Sequence, residues 1–553
     1  LHGRILRSPY PHARILSIDT RAARALPGVR SVLTGADAPA TPWGGGATKE
    51  RHILAREVVR FCGEEVAAIA ADTDEIARDA LDLIEGDYEP LPALLSPDEA
   101  LAEGAPGVHP GRDNIGHEIR FERGDLAAGF AEADLVLEQT YTTHSQYPGY
   151  LEPMASLAAV DGDGRLTLWT STQSVFLARA RLAQALGRTV STVRVIQATT
   201  GGGFGGKIVE DDNQLVAGLL ALATQRPVRL VNSRLEDFQA CCLSLPEQIR
   251  LKLGMTRDGV ITAKDVEITA ECGAYAGLCG DIMHVSAMRS DNMHRLNHVR
   301  CHARLVYTNN PPRGAFRGFG GTQMLFAVNS LIDEMARLLA LDPIEVHKRN
   351  AIRRGETSVH GWQIRSTGLA ECLDQATAAI DWAAKRKPPG TPPPPVAELA
   401  TATDATAAAG SPAPLTIPPS LINPLRRGVG VAAAMHVAGN RTIGNWDGST
   451  VVVKINEDGR ALIHSGECDM GQGAMTMLSQ IVAHELNLPL AHVHVVAPDT
   501  DTSPFAIGSL ASRVTMSGGN AAILAARKAR DCLFAVAAPL LEADPSALEL
   551  AEG

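Results

Sequence analysis

The run Thr199-Thr200-Gly201-Gly202-Gly203-Phe204-Gly205-Gly206-Lys207 places five glycines in six positions. Glycine costs backbone entropy on folding, and close approach of backbone N–H groups to an anionic or oxo-bearing ligand is the usual reason to accept it. Gly201 and Gly206-Lys207 keep the spacing of a phosphate loop as far as the lysine, but Ile208 stands where a magnesium-binding hydroxyl is needed. An ATP-binding protein would also need an aspartate for the metal near Lys207. A plain strand-to-helix turn needs one or two glycines, not five.

Three further stretches are dense in residues able to hold a ligand. Asn310 to Gly321 contains four glycines, two arginines and two phenylalanines, including Arg317-Gly318-Phe319, the composition of a tight ligand loop or of a glycine-rich turn with surface arginines. Met470-Gly471-Gln472-Gly473 opens a helix, where unpaired backbone groups and the Gln472 amide offer donors and an acceptor. Asp499-Thr500-Asp501 and Gly508-Ser509-Leu510-Ala511-Ser512-Arg513 follow. Glu152, in Tyr150-Leu151-Glu152-Pro153-Met154, reads either as an acid or as a structural ion pair or cap, the commoner fate of a buried charge. Cys468 is a lone cysteine at a helix start and reads as buried and inert.

The elements that position these groups follow from periodicity. Val193-Arg194-Val195-Ile196 alternates as a strand before the glycine run, and Gln214 to Leu222 reads as a helix after it. Leu166 to Trp169 reads as a strand delivering Thr170-Ser171-Thr172-Gln173, and Gln323 to Leu339 as a helix. Val66 to Ala71 reads as a strand with a helix over Glu75 to Ile84; Val451–Ile455 and Ala461–His464 read as a hairpin. The proline- and glycine-rich stretch within 93–117 reads as a linker, 351–386 as connecting helices, and 387–421, rich in proline, alanine and threonine, as a linker or insertion.

The 553 residues allow several domains, with 45% hydrophobic and 20% charged residues as in ordinary globular proteins. A net charge of −11 without a basic block argues against nucleic acid, and no apolar run is long enough to cross a bilayer. Nine cysteines, none in a C-x-x-C pair, give no signal for an iron–sulfur or zinc site and suggest a reducing, cytoplasmic compartment. The chain opens at Leu1 without an initiator methionine and stops at Gly553, so we expect cut ends or a naturally split polypeptide.

In this order the motifs resemble the large subunit of xanthine oxidase-type molybdenum hydroxylases. His2-Gly3-Arg4-Ile5-Leu6-Arg7-Ser8-Pro9-Tyr10 resembles the opening of that family's small hammerhead domain. The resemblance implies an α+β protein: an α/β-hammerhead domain over 1–92, then two large mixed α+β molybdopterin-binding domains over 118–350 and 422–553, the last C-terminally incomplete. It implies cofactor contacts from Gln173, from Gly202, Gly203, Phe204 and Gly205, from Arg317, Gly318 and Phe319, from Met470, Gly471, Gln472 and Gly473, and from Ala511, Ser512 and Arg513. Phe204 and Phe319 would shape the substrate pocket, and Gln173 would donate to an oxo group.

Molybdenum would be held by pterin dithiolene sulfurs, with no protein metal ligand and a cytosine dinucleotide form of the pterin. Iron–sulfur clusters and FAD would reside on partner subunits. The family's acid/base glutamate lies farther downstream than Gly553, so a second chain or a missing tail would supply it. Purine-oxidising relatives place a glutamate where this chain has Ile208, which disfavours purines. Gly361 to Leu369, His436 to Arg441 and Pro504 to Ser509 look most like 4-hydroxybenzoyl-CoA reductase, implying reductive dehydroxylation of an aromatic CoA thioester. Oxidative hydroxylation of an N-heterocycle or aldehyde, and a non-catalytic scaffold, are the alternatives.

Overall fold

The computed structural model describes residues 1–44, 49–208, 212–386, 428–436, 438–439 and 447–551. The first layer is a seven-stranded sheet in the order Val193–Gln197, Leu166–Thr170, Ala155–Val160, Val228–Val231, His2–Arg7, Glu65–Ala71, Val29–Thr34. Its strand Glu65–Ala71 is buried along its whole length, as the run Val-Ala-Ala-Ile-Ala-Ala demands. The sheet does not stop where the hammerhead ends. His2–Arg7 pairs antiparallel with Glu65–Ala71 on one side and parallel with Val228–Val231 on the other, His2 opposite Arg229.

The helix Asp212–Thr224 packs on this sheet, and Leu215 and Leu220 share one core with Ile5, Leu168, Val195 and Cys468. That core holds residues from the hammerhead and from both large domains. Buried charge marks the same junction: the Arg51 guanidinium bonds Glu65 at 2.9 Å and Asp212 at 2.5 Å, and lies over the Trp43, Phe61 and Tyr275 rings. A buried pair of this kind fixes register more than it adds net stability.

The second layer is a five-stranded sheet in the order Ile115–Arg123, His298–Tyr307, Ile261–Gly273, Glu247–Met255, Leu135–Thr142. Ile261–Gly273 and His298–Tyr307 run parallel, so the connection between them must cross over, and the helix Cys279–Met288 lies on that crossover. Helix Gly321–Leu338 buries Met324, Val328, Leu331 and Met335 in the core beneath this sheet. In the last domain the hairpin Val451–Ile455 and Ala461–Ser465 takes Val493–Val495 as a third, parallel strand, covered by helices Ala474–Glu485 and Gly519–Leu541.

Some expectations are refined. The stretch 93–117 carries a short helix, Pro97–Leu101, closed by a Ser96–Glu99 capping box, and the first residues of strand Ile115–Arg123. The helix expected over Glu75 to Ile84 runs Asp74–Asp82, and the Thr73 side chain caps it by accepting the Ile76 N–H. Residues 351–386 hold helices Leu369–Ala379 and Trp382–Lys385. The segment 387–421 lies outside the described residues.

Asp499-Thr500-Asp501 clamps the last domain to the edge of the first sheet. Arg194 pairs with Asp499 at 2.5 Å, Arg165 with Asp501 at 2.5 Å, and Val195 exchanges hydrogen bonds with Thr500. This clamp brings the glycine run, which leaves that edge strand, against the motifs of the last domain.

Candidate functional site

The glycine run leaves strand Val193–Gln197 and is fastened on three sides. Gly205 N–H donates to Gln173 Oε1 at 2.8 Å, Gly202 N–H to the Met470 carbonyl at 3.2 Å, and Arg317 N–H to the Phe204 carbonyl at 2.9 Å. The glycines are needed because protein, not only ligand, comes close: a Cβ on Gly203 would stand 2.5 Å from Gln173 Oε1, and one on Gly205 2.6 Å from the Ala315 carbonyl oxygen, at a φ of +107°. Phe204 adopts a left-handed φ of 53° and is 44% exposed. For a bulky residue that conformation is strained and clusters at ligand sites.

Lys207 does not reach for a phosphate. Its ammonium group is fully buried, 2.8 Å from Glu152 Oε2 and 2.9 Å from the Glu152 carbonyl, and 4.6 Å above the Tyr150 ring. Glu152 Oε2 also accepts the Gly201 N–H at 2.7 Å. Of the two readings of Glu152, the geometry carries the structural one: it ties the start of the run to its end.

Fourteen of the fifteen expected cofactor residues line one cleft of about 1400 Å³; Gly473 is the exception. Phe319, Ala511 and Ser512 repeat the left-handed backbone of Phe204. The backbone N–H groups of Gly203, Phe204, Ala511 and Ser512 meet no acceptor among the described residues. Gly471 is also left-handed, and nothing lies within 4 Å of where its Cβ would stand.

Three of these side chains are also engaged by the protein itself. Gln173 spends its amide on protein: Oε1 takes the Gly205 and Lys207 N–H groups, and Nε2 donates to the Ser509 carbonyl at 2.9 Å. Gln472 folds onto its own loop, Oε1 accepting the Met470 N–H at 2.7 Å and Nε2 donating to the Cys468 carbonyl at 3.0 Å. The Arg513 guanidinium is fully buried against Asp447 and Glu467, each at 2.7 Å, and Ser449. Burial raises the Glu467 carboxyl even with Arg513 beside it. Cys468 is buried, and burial pushes its thiol up to about 12, far from a reactive thiolate.

The same cleft takes residues that the motifs did not single out. Asp281 and Arg289 line it from either end of helix Cys279–Met288, and Leu177 and Arg181 from helix Val175–Ala185. His436 lines it as well. Burial raises the Asp281 carboxyl, and burial together with the Arg289 charge lowers His436. Helical spacing puts Leu177 and Arg181 on one face, a signal visible in the sequence. Nothing local marks Arg289. Arg317 is exposed, with no side-chain ion pair among the described residues. No glutamate among the described residues lines the cleft.

Comparison with known proteins places this cleft. Residues 1–92 match the hammerhead domain of aldehyde oxidase and xanthine dehydrogenase, and residues 108–351 and 420–553 match two molybdopterin cofactor-binding domains. The chain is 32% identical over 516 residues to a probable xanthine dehydrogenase subunit of Bacillus subtilis, covering 93% of this chain and 64% of that protein. It is 31% identical over 570 residues to a putative xanthine dehydrogenase molybdenum-binding subunit of Escherichia coli, covering 100% and 71%. With the large molybdopterin subunit of Eubacterium barkeri nicotinate dehydrogenase it shares 37% identity over 377 residues, 68% of this chain and 88% of that one. The fold superposes on Pseudomonas putida quinoline 2-oxidoreductase with a TM-score of 0.87 at 27% identity, covering 100% of this chain and 69% of that structure. The chain thus spans 64% of the Bacillus subtilis relative and 71% of the Escherichia coli one. A hammerhead joined through one core to two molybdopterin-binding domains, with their glycine loops meeting in a single cleft, identifies the chain as a member of the xanthine dehydrogenase family of molybdopterin-binding subunits.

Proposed function

We propose that this chain is the cofactor-binding body of a molybdenum oxidoreductase that hydroxylates a carbon of a small flat heteroaromatic substrate, with water as the oxygen source. The single observation that carries the reading is the convergence of Phe204, Phe319 and the left-handed Ala511-Ser512 turn on one cleft. The cleft fits a pterin-bound molybdenum group: the N–H donors of Gly203, Phe204, Ala511 and Ser512, which meet no acceptor among the described residues, suit oxo and pterin acceptors, and the open space at Gly471 admits a ligand where any side chain would intrude. When bound, the group supplies two-electron oxidation. The chain's own part is to orient: the Gln173, Glu152 and Arg317 bonds hold the glycine run in place, and Leu177, Leu278 and Phe319 give the cleft an apolar wall against which a flat ring can pack.

The relatives named above are dehydrogenases, and one structural neighbour acts on quinoline, which favours the oxidative reading over reductive dehydroxylation of an aromatic CoA thioester. Ile208 lines the cleft at the position where the resemblance implies a glutamate in purine-oxidising members, so we place the substrate outside the purines. No glutamate among the described residues lines the cleft, and we name no acid/base residue from them. Iron–sulfur and FAD subunits are proposed as the electron carriers, as the family membership suggests. A cytoplasmic setting is proposed from the scattered cysteines of the sequence. No helix among the described residues is long and apolar enough to cross a membrane.

The test is metal and pterin analysis of the complex from its native host, followed by turnover of N-heterocycles in ¹⁸O-labelled water. About one molybdenum per chain and label in the hydroxylated product are expected. A folded native complex without molybdenum or pterin would overturn the reading.

A further inference from the structure

Arg289 stands where two cavities meet. It lines the large cleft and also a chamber of about 40 Å³ bordered by His284, His360 and Trp362. It follows the last turn of helix Cys279–Met288, where the helix dipole favours a cation, and it is 6% exposed. Across the chamber His360 Nε2 donates to Asp291 at 2.9 Å, and Asp291 pairs with the buried Lys264. Donation from Nε2 leaves Nδ1 as a lone pair, and this buried nitrogen has no partner among the described residues. The chamber has room for one water-sized polar group beside His360 Nδ1. Arg289 thus borders both the chamber and the cleft.

We propose that Arg289, with His436 beside it, is the specificity-determining anchor for an anionic group on the substrate, a carboxylate carried by a flat aromatic or heteroaromatic ring. The inference rests on the hydroxylase reading and narrows its substrate class. Among the described lining residues four are arginines and one, Asp281, is a carboxylate. Arg513 is neutralised by Glu467 and Asp447, and Arg289 is the most buried of the remaining three. A charge in a dry wall acts more strongly than one in water. A guanidinium has five N–H donors, so a two-pronged contact with a carboxylate is compatible with the bonds Arg289 already makes. Ile208 is apolar and offers a ring nitrogen no hydrogen bond, so polar recognition has to come from another wall of the cleft. In a chain of net charge −11, a basic cleft also draws anions to one place.

The test compares pyridine-3-carboxylate with pyridine-3-carboxamide, by calorimetric binding and by turnover, in the holoenzyme with its partner subunits. The wild type should prefer the acid by about 10- to 100-fold, the range for one charge-assisted contact. Arg289→Gln should collapse that ratio toward one, and Arg289→Lys should restore part of it, with molybdenum content and melting temperature reporting whether each variant is intact. A ratio near one in the wild type, or an Arg289→Gln ratio equal to wild type, would overturn the inference. Should Arg289→Gln not fold, Arg289→Lys decides alone: a reduced preference supports the anchor, an unchanged one removes it. Tight carboxylate binding lost in Arg289→Gln, without turnover of any heterocycle by a molybdenum-loaded wild type, would keep the anchor and sink the hydroxylase reading.

Discussion

Replacing Gln173 by alanine separates a strut from a cofactor ligand. The side chain is buried and makes three contacts with backbone: it accepts from Gly205 N–H at 2.8 Å and Lys207 N–H at 3.4 Å, and donates to the Ser509 carbonyl at 2.9 Å. Alanine leaves the Gly205 donor and the Ser509 acceptor unsatisfied, each costing about 1–3 kcal/mol when buried. The bond at 3.4 Å adds little. The backbone bonds Gln173 N–H to Lys207 and Ser509 N–H to Gln173 remain, so the loss is local, roughly 2–5 kcal/mol. Spread over a domain-sized unit this lowers the melting temperature by roughly 5–15 °C. Cofactor-free protein is the right sample, read by circular dichroism. Gln173→Glu keeps the acceptor but sets a carboxylate oxygen against the Ser509 carbonyl. Its folded pKa is then raised, so its stability should fall as pH rises above about 4.3 and recover in acid. An unchanged melting temperature in cofactor-free Gln173→Ala, with cofactor lost from the holoenzyme, would refute the strut and make Gln173 a direct ligand.

Gly205→Ala puts a methyl group 2.6 Å from the Ala315 carbonyl at a φ of +107°; cofactor retention should fall by at least tenfold, measured as molybdenum per chain. Glu152→Gln leaves the buried Lys207 ammonium without its carboxylate and should cost about 3 kcal/mol; adding Lys207→Met should recover part of that in urea unfolding. Glu247 is buried, donated to by Ser286 at 2.6 Å, and burial pushes its carboxyl up to about 8. Its folded form stays protonated while the unfolded form ionises near 4.5, so it lowers stability progressively from pH 4.5 to 8. Glu247→Gln should flatten that slope and be the more stable protein at pH 8, by thermal melts across pH. The stacked pair His294–His347 is held neutral by burial, with values pushed down to about 3 and 4. Here stability falls as pH drops below the unfolded value near 6.5, and His347→Gln should shift the acid-unfolding midpoint downward in the same melts.

What the sequence made legible was whatever is contiguous. Gly202 to Gly205, Arg317 to Phe319 and Ala511 to Arg513 are each one turn of backbone whose small residues announce close packing, and all of them reach the cleft. Their side-chain roles were less legible. The segments of Gln173, Gln472 and Arg513 reach the cleft, but their side chains are bound by nearby backbone or carboxylate groups, and those neighbours are set by tertiary contact. Arg289 and Asp281 went unnoticed because their helix carries no motif and gains meaning only where its two ends meet the cleft. The shared sheet was also hidden, since pairing of His2 with Arg229 leaves no local trace.

That pairing has a consequence for how the chain is made. Strand His2–Arg7 can form its antiparallel ladder with Glu65–Ala71 early in synthesis, but its other edge waits for Val228–Val231, and Leu1 for the Pro227 carbonyl. Until more than two hundred residues have emerged, the nascent hammerhead carries an open strand edge, the kind of surface that recruits wrong partners. Joining elements so far apart along the chain is also intrinsically slow. The glycine loop and the helix Asp212–Thr224 lie inside that same interval, so the closing of the sheet and the shaping of one wall of the cleft belong to a single late event. A ribosome-bound fragment ending before residue 228 should therefore remain protease-sensitive, and one long enough to expose Val231 should become resistant.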